Sequence, residues 1–271
     1  MKKDISGLFQ SLKFSESVRE FFRAISRTRS GIAGGNFSRS YKGANLEPGN
    51  NVTPSANPLL DYFRNHKEGP GIWKWNHYFD IYHRHFARFI GQKINILEIG
   101  IYSGGSLEMW QTYFGEKCHI YGVDIEEVCK AYENERVSVI IGDQGDRVFW
   151  RNFKKNVKDI DILIDDGGHT PEQQRITLEE MLPHLRTGGV YLCEDIHGRN
   201  NKFSSFAAGL VHELNSTNRT TGPLLQSSVS EFQSSIHSIH FYPYLVVIEK
   251  HHMPVTQLSA PRQGTEWQPF L

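Results

Sequence analysis

The sequence predicts an α/β protein built on a doubly wound, mostly parallel sheet that ends in an antiparallel hairpin. Strand and helix signals alternate from Ile94 to Lys250, the mark of parallel strands joined by crossover helices. A glycine-rich turn, "GIYSGG", follows the first strand, and every strand after it delivers an acid at its carboxyl end. In such a sheet ligands bind beyond those ends, so the acids stand where chemistry is expected.

The elements follow in order. "FSESVREFFRAISRTRS" predicts one short amphipathic helix, and the Gly/Asn/Ser/Pro-rich stretch from Gly31 to Pro58 predicts a mobile arm, so residues 1–60 read as helix plus linker. Five basic residues and no acid lie between Phe21 and Leu46; a solvated tail accounts for them better than a phosphate or lipid contact. The main domain is expected over 61–252 and a tail over 253–271. "WKWNHYFDIYHRHFARFI" spaces Trp75, Phe79, Tyr82 and Phe86 as one helix face. Its histidines, His77, His83 and His85, do not share a face, which argues against a metal trio there.

"INILEIGIY" is the first predicted strand and "SLEMWQTYF" its helix. "CHIYGVDI", "VSVIIGDQ" and "DIDILIDDG" are the next three strands, and "TPEQQRITLEEMLPHL" is a helix. "GGVYLCEDI" is the fifth strand, "NKFSSFAAGLVHELN" another helix, and "IHSIHFYPYLVVIEK" a strand pair turning at Tyr242 and Pro243.

Composition narrows the function. Thirty basic residues balance thirty acidic ones, so no global charge favours nucleic acid or an anionic membrane. Three cysteines without metal-finger spacing argue against a disulfide framework, and no apolar run is long enough to span a bilayer. These features predict a cytoplasmic protein; a homo-oligomer is left open.

The first strand end supplies Glu98, Gly100, Tyr102, Ser103 and Gly104, and the second supplies Asp124, 24 residues after Gly100. A close-approach glycine turn followed by an acid in register suits the ribose of a nucleoside cofactor. Tyr102 stands where the dinucleotide fingerprint has its second glycine, which favours S-adenosylmethionine, a cofactor without phosphate, over NAD. Asp143, Gln144 and Asp165 complete the expected cofactor side. Asp166, Glu194 and Asp195 come from adjacent strand ends, and three carboxylates together call for a cation. All-oxygen ligation suits Mg2+. The alternative without metal makes these acids helix caps and adenine contacts.

"LEIGIYSGGSLEMW", "IYGVDI", "GDQGD", "IDDGGH" and "YLCEDIH", in this order, resemble the class I S-adenosylmethionine-dependent methyltransferases, with their Rossmann-like fold. Over Gly71 to Lys250 they resemble more narrowly the metal-dependent sugar O-methyltransferases of macrolide and aminocoumarin pathways, a group that includes cephalosporin hydroxylase-like proteins. The resemblance implies Asp166, Glu194 and Asp195 as metal ligands and His169 as catalytic base. It implies Glu98 and Gly100 as cofactor loop, Asp124 as ribose acid, and Asp143 with Gln144 as adenine contacts. Gly168 departs from the serine often found before the base. The macrolide enzymes carry a large N-terminal domain that residues 1–60 are too few to form, so the resemblance names no acceptor beyond a small-molecule hydroxyl. His197 is a candidate second base or acceptor contact. Three rival readings are a nicotinamide oxidoreductase, a non-haem iron hydroxylase using His169, His197 and Asp166, and a non-catalytic cofactor-binding module.

Overall fold

The computed structural model describes residues 16–43, 56–198, 200–216, 218–220, 225–261 and 263–264. The chain divides into two compact units, Met1–Ser55 and Ala56–Leu271. In the first, helix α1 spans Glu16–Ser40 and so runs ten residues past the expected helix end at Ser30, through "GIAGGNFSRS". Its polar residues serve the helix backbone instead of breaking it: Thr28, Ser38 and Ser40 hydroxyls donate to the carbonyls of Ala24, Gly35 and Phe37 at 2.9–3.0 Å. The remainder of the expected linker, 44–55, lies outside the described residues.

The second unit opens with helix α2, Pro58–Asn65, which spans the expected boundary at residue 61. Asn57 caps it by accepting from the Leu59 and Leu60 amides, and Pro58 sits at the first turn, where its missing N–H costs nothing. Helix α3 covers Tyr78–Phe86. It begins later than the aromatic spacing predicts, and residues 70–77 are an irregular segment. The three histidines part company, His77 to the Pro243 carbonyl, His83 to the Tyr113 hydroxyl and His85 to Glu249.

Strands β1 (Ile94–Ile99), β2 (Cys118–Asp124), β3 (Val137–Ile141), β4 (Ile160–Asp165) and β5 (Leu185–Cys193) are parallel. Between them lie α4 (Gly105–Phe114), α5 (Arg147–Asn156) and α6 (Pro171–Met181). After α7 (Lys202–Leu214) come β6 (Asn218–Thr220), β7 (Leu225–Ser228), α8 (Glu231–Ser235), β8 (Ile236–Tyr242), β9 (Leu245–Lys250) and β10 (Gln257–Ala260). The main sheet runs β3-β2-β1-β4-β5-β9-β8, with β8 and β9 antiparallel at its edge. This is the doubly wound sheet with a closing hairpin that the sequence predicts, except that the turn is Pro243–Tyr244. The small sheet β10-β7-β6 was not expected.

Strand alternation divides the core between the two faces. Ile96, Ile162 and Ile164 pack with Tyr78, Phe79, Tyr82, Phe86 and Trp110 on one side. Leu97 and Leu163 pack with Trp150, Phe153, Met181 and Phe203 on the other. The strand order reverses between β1 and β4, and a crevice opens at such a point beyond the carboxyl ends.

Glu249 on β9 ties α3 to the edge hairpin. Its Oε1 lies 3.1 Å from His85 Nδ1 and 2.9 Å from Arg88 Nη1, and its Oε2 accepts from Ser238. The His85 hydrogen bond, helped by the Arg88 charge, holds this carboxyl down at about 2 against burial. A carboxyl depressed in the folded state stabilises above its ordinary range and loses that contribution as it protonates. The advantage of the native chain over Glu249→Gln, about 1–3 kcal/mol at neutral pH, is therefore expected to shrink as pH falls from about 4.5 towards 2. Urea unfolding of both proteins across that range checks it, and a pH-independent difference would contradict it.

Candidate active site

Beyond the strand ends lies one cavity of about 980 Å3, bordered by the β1 turn, the ends of β2 to β5 and the irregular segment at 72–76. Of the sequence-predicted residues, Gly100, Tyr102, Asp124, Asp143, Gln144, Asp166, His169, Glu194 and Asp195 border it. Glu98, Ser103, Gly104 and Asp165 do not, and their side chains or backbone shape it from behind.

Gly100 has φ +81°, and a Cβ there would lie 2.1 Å from the Asp166 carbonyl oxygen. Only glycine lets the β1 turn rest against the β4 end so closely. Asp124 Oδ2 accepts from the Ile101 and Tyr102 amides at 3.0 and 3.1 Å, so the ribose candidate also organises the turn. Glu98 is turned inward, accepting from Ser106 Oγ and Trp110 Nε1 at the start of α4. Burial raises its carboxyl, while Lys74 opposes that rise.

Two further residues brace the structure around the cavity. Gln144 donates to Asp165 Oδ1 at 2.8 Å and accepts from the Gly168 amide at 2.6 Å, which fastens the β4 end and its turn. Its side chain is thus committed within the protein. Asp165 is buried beneath this contact, which with the other hydrogen bonds only partly offsets desolvation, and its carboxyl is pushed up to about 6.

The acidic half contains a residue that the sequence did not single out. Lys74 Nζ lies 2.5 Å from Asp166 Oδ2 and 3.0 and 3.1 Å from the two Glu194 oxygens. Tyr82 donates to Glu194 Oε1 at 2.7 Å. Burial alone would strip the charge from Lys74, but Asp166, Glu194 and Glu98 overcome it and hold the ammonium well above its usual range. Burial and the neighbouring Asp166 charge push Glu194 up, with Lys74 and Tyr82 opposing.

Asp195 faces differently. Its Oδ1 accepts from Trp75 Nε1 at 3.0 Å and Tyr78 OH at 2.8 Å, and lies 3.3 Å from His197 Nε2. His169 Nε2 stands 3.9 Å from Asp166 Oδ1 and 3.8 Å from Asp195 Oδ2. These three residues each turn one donor atom into a common space, all within 4.8 Å of one another. Glu194 is not in that group: both its oxygens face Lys74, so the expected ligand trio appears as two acids in front and one behind.

This donor set fits a divalent cation. Lys74 offsets only part of the charge that Asp166, Glu194 and Asp195 bring together, and a divalent ion would offset the rest. Asp166 and Asp195 would hold it, with Glu194 setting the charge behind them and His169 alongside. On the other side, the glycine turn and Asp124 fit a nucleoside whose ribose needs an acceptor.

All four described non-glycine residues with positive φ lie in or beside this region: Tyr102 (43°), His169 (57°), Asp195 (54°) and Tyr244 (63°). Strained backbone persists where surrounding structure enforces it, and it gathers at functional sites.

Residues 97–196 match the family described as a methyltransferase domain. Demethylmacrocin O-methyltransferase of Streptomyces fradiae is 35% identical over 150 residues, 53% of this chain and 36% of that protein. The 8-demethyl-8-alpha-L-rhamnosyl tetracenomycin-C 2'-O-methyltransferase of Streptomyces olivaceus is 28% identical over 207 residues, 68% of this chain and 53% of that protein. The chain thus spans between about a third and a half of these relatives' length. Among solved structures, the MycE methyltransferase from the mycinamycin pathway, in complex with Mg, SAH and mycinamycin VI, superposes with a TM-score of 0.58 at 25% identity. That match covers 72% of this chain and 53% of MycE. The sheet is that of the class I methyltransferases.

Lys74→Met removes the ammonium and leaves Glu194 and Asp166 facing each other in a buried site. The expected cost is about 3–5 kcal/mol of stability. Glu194→Gln in the same chain should recover a large part of it, because the second charge goes too. Urea denaturation of the two single variants and the double variant measures this coupling; additive losses would show that the three groups do not act together.

Proposed function

We propose that this chain, whose residues 97–196 belong to a methyltransferase domain, is an Mg2+-dependent S-adenosylmethionine O-methyltransferase acting on a hydroxyl of a sugar or similar polyhydroxylated small molecule. One observation carries the reading: His169, Asp166 and Asp195 turn their donor atoms into one end of a cavity whose other border is the glycine turn and Asp124. The acceptor class is supported by the relatives, whose names describe O-methylation, in one of them at the 2' position of a rhamnosyl tetracenomycin.

Gly100 and Tyr102 would hold the cofactor against the β1 turn, with Asp124 accepting from its ribose and Asp143 bordering the base. When bound, S-adenosylmethionine would supply an electrophilic methyl, and a divalent ion, which Asp166 and Asp195 would hold, would make a nearby hydroxyl easier to deprotonate. The remaining work belongs to the chain. His169, 39% exposed at its side chain, is within reach of a ligand, and an imidazole is suited to take the acceptor proton at Nε2 near neutral pH. The Asp166 and Asp195 carboxyl groups, 3.9 and 3.8 Å from that nitrogen, keep the imidazole beside the place where the ion would sit. Lys74 and Tyr82 keep Glu194 fixed, so the charge behind the acids does not move during the proton transfer. Orientation of the hydroxyl towards the methyl is the largest contribution such a site can make.

Methyl transfer to a glycoside acceptor is expected to stop with EDTA and to return with added Mg2+. Full activity in EDTA would remove the metal from the proposal. His169→Ala is expected to lower kcat by about 100- to 10,000-fold with S-adenosylmethionine affinity, measured by calorimetry, nearly unchanged. A His169→Ala enzyme within a few-fold of the native rate would show that another group takes the proton.

A further inference from the structure

Beside the acids, three chain segments bring aromatic rings together at the surface. Trp75 precedes α3, His197 follows β5, and Tyr244 forms the turn between β8 and β9. The Trp75 and Tyr244 centroids are 5.5 Å apart, those of His197 and Tyr244 4.7 Å, and those of Trp75 and His197 6.3 Å. Trp75 is 48% exposed and Tyr244 44%, although each ring packs against the others. A half-exposed aromatic cluster beside convergent polar groups is the composition of a small-molecule site.

The cluster is fixed in place. The Tyr244 carbonyl accepts from the Ile196 amide at 2.9 Å and lies 3.2 Å from Tyr78 OH. The φ of +63° at Tyr244 is thereby held by contacts on both sides. The rings are also wired to the acids, since Trp75 Nε1 donates to Asp195 Oδ1 and His197 Nε2 lies 3.3 Å from the same oxygen. Whatever rests on these rings has its edge at Asp195.

Ring orientation selects the class of ligand. The three interplanar angles are 49°, 44° and 55°, so no two faces are parallel and the cluster offers no parallel-walled slot to sandwich a flat acceptor. A saturated six-membered sugar presents C–H groups on its faces and hydroxyls around its rim, which matches apolar ring faces bordered by Asp195 and His197.

We infer that the Trp75–Tyr244–His197 cluster is the acceptor subsite and takes a pyranose ring, placing one rim hydroxyl at Asp195 and His169. This rests on the acceptor reading proposed above and adds the residues that select a sugar over a planar phenol. Trp75 has a second role as a positioning residue for Asp195, which separates two of its variants: Trp75→Phe keeps a ring and loses the indole N–H, whereas Trp75→Ala loses both.

The test uses the full chain with Mg2+ and S-adenosylhomocysteine, and methyl α-L-rhamnopyranoside as probe with catechol as the flat competitor. Saturation-transfer NMR and calorimetry should show the glycoside bound more tightly than catechol, with transfer concentrated on its ring C–H protons. Trp75→Ala and Tyr244→Leu should each weaken the glycoside at least about tenfold, the scale of an aromatic anchor, and leave S-adenosylhomocysteine affinity, the check on folding, unchanged. Trp75→Phe should retain most glycoside affinity. The inference is overturned if the glycoside fails to bind, if catechol binds as tightly, or if both ring-deleting variants bind the glycoside normally. The methyltransferase reading fails separately, if S-adenosylhomocysteine does not bind the native chain.

Discussion

The interaction on which the site depends is the buried ammonium of Lys74 between Asp166 and Glu194. Carboxylates taken out of water at adjacent strand ends repel one another and lose solvation, a cost of several kcal/mol per ion unless compensated. Lys74 compensates two of them with one charge, and Tyr82 supplies a further donor to Glu194. The lysine comes from a segment far away in the chain, so the same contact fixes residues 70–77 over the strand ends. Trp75 then meets Asp195 and borders the cavity as a consequence.

A second constraint is the contact between the two halves. The β1 turn and the β4 end touch at Gly100 and the Asp166 carbonyl. The proposed cofactor turn and the proposed acid–base group are thereby parts of one junction. Gln144 and Asp165 brace it from below, and Glu98 anchors the start of α4. Residues at the strand ends thus also act as framework for the cavity wall. The proposed methyl transfer, which needs alignment more than it needs strong acid or base, would benefit from such stiffness.

Much of this was legible in the sequence. Strand alternation gave the sheet, and acids at each strand end located the cavity, because both are local patterns with a fixed period. Side-chain direction is not such a pattern. Glu98 and Asp165 sit at strand ends like Asp124 and Asp166, yet they turn inward, and only the packing of Trp110 and Gln144 decides that. Lys74 lies 92 and 120 positions from its partners, and a lone lysine between two tryptophans reads as part of an aromatic helix face. The helix α1 was underestimated for another reason: glycine and serine lower helix propensity without forbidding a helix, and no proline intervenes before Pro48.

The geometry also discriminates between chemistries that one sheet can host. A dinucleotide needs free amides in the first turn for its pyrophosphate. Here the Ile101 and Tyr102 amides are already spent on Asp124, and an anion beside that carboxylate would be repelled. A non-haem iron centre would need two imidazoles and a carboxylate converging. His197 meets Asp195 through Oδ1 while His169 faces Oδ2, so the group that converges at this cavity contains one imidazole and two acids. A cationic sulfonium is different. It is attracted by the negative strand ends that would oppose a pyrophosphate, and it needs no donors from the turn. The acids that make this sheet costly to fold thus favour a positively charged, phosphate-free cofactor and the methyl transfer that it performs.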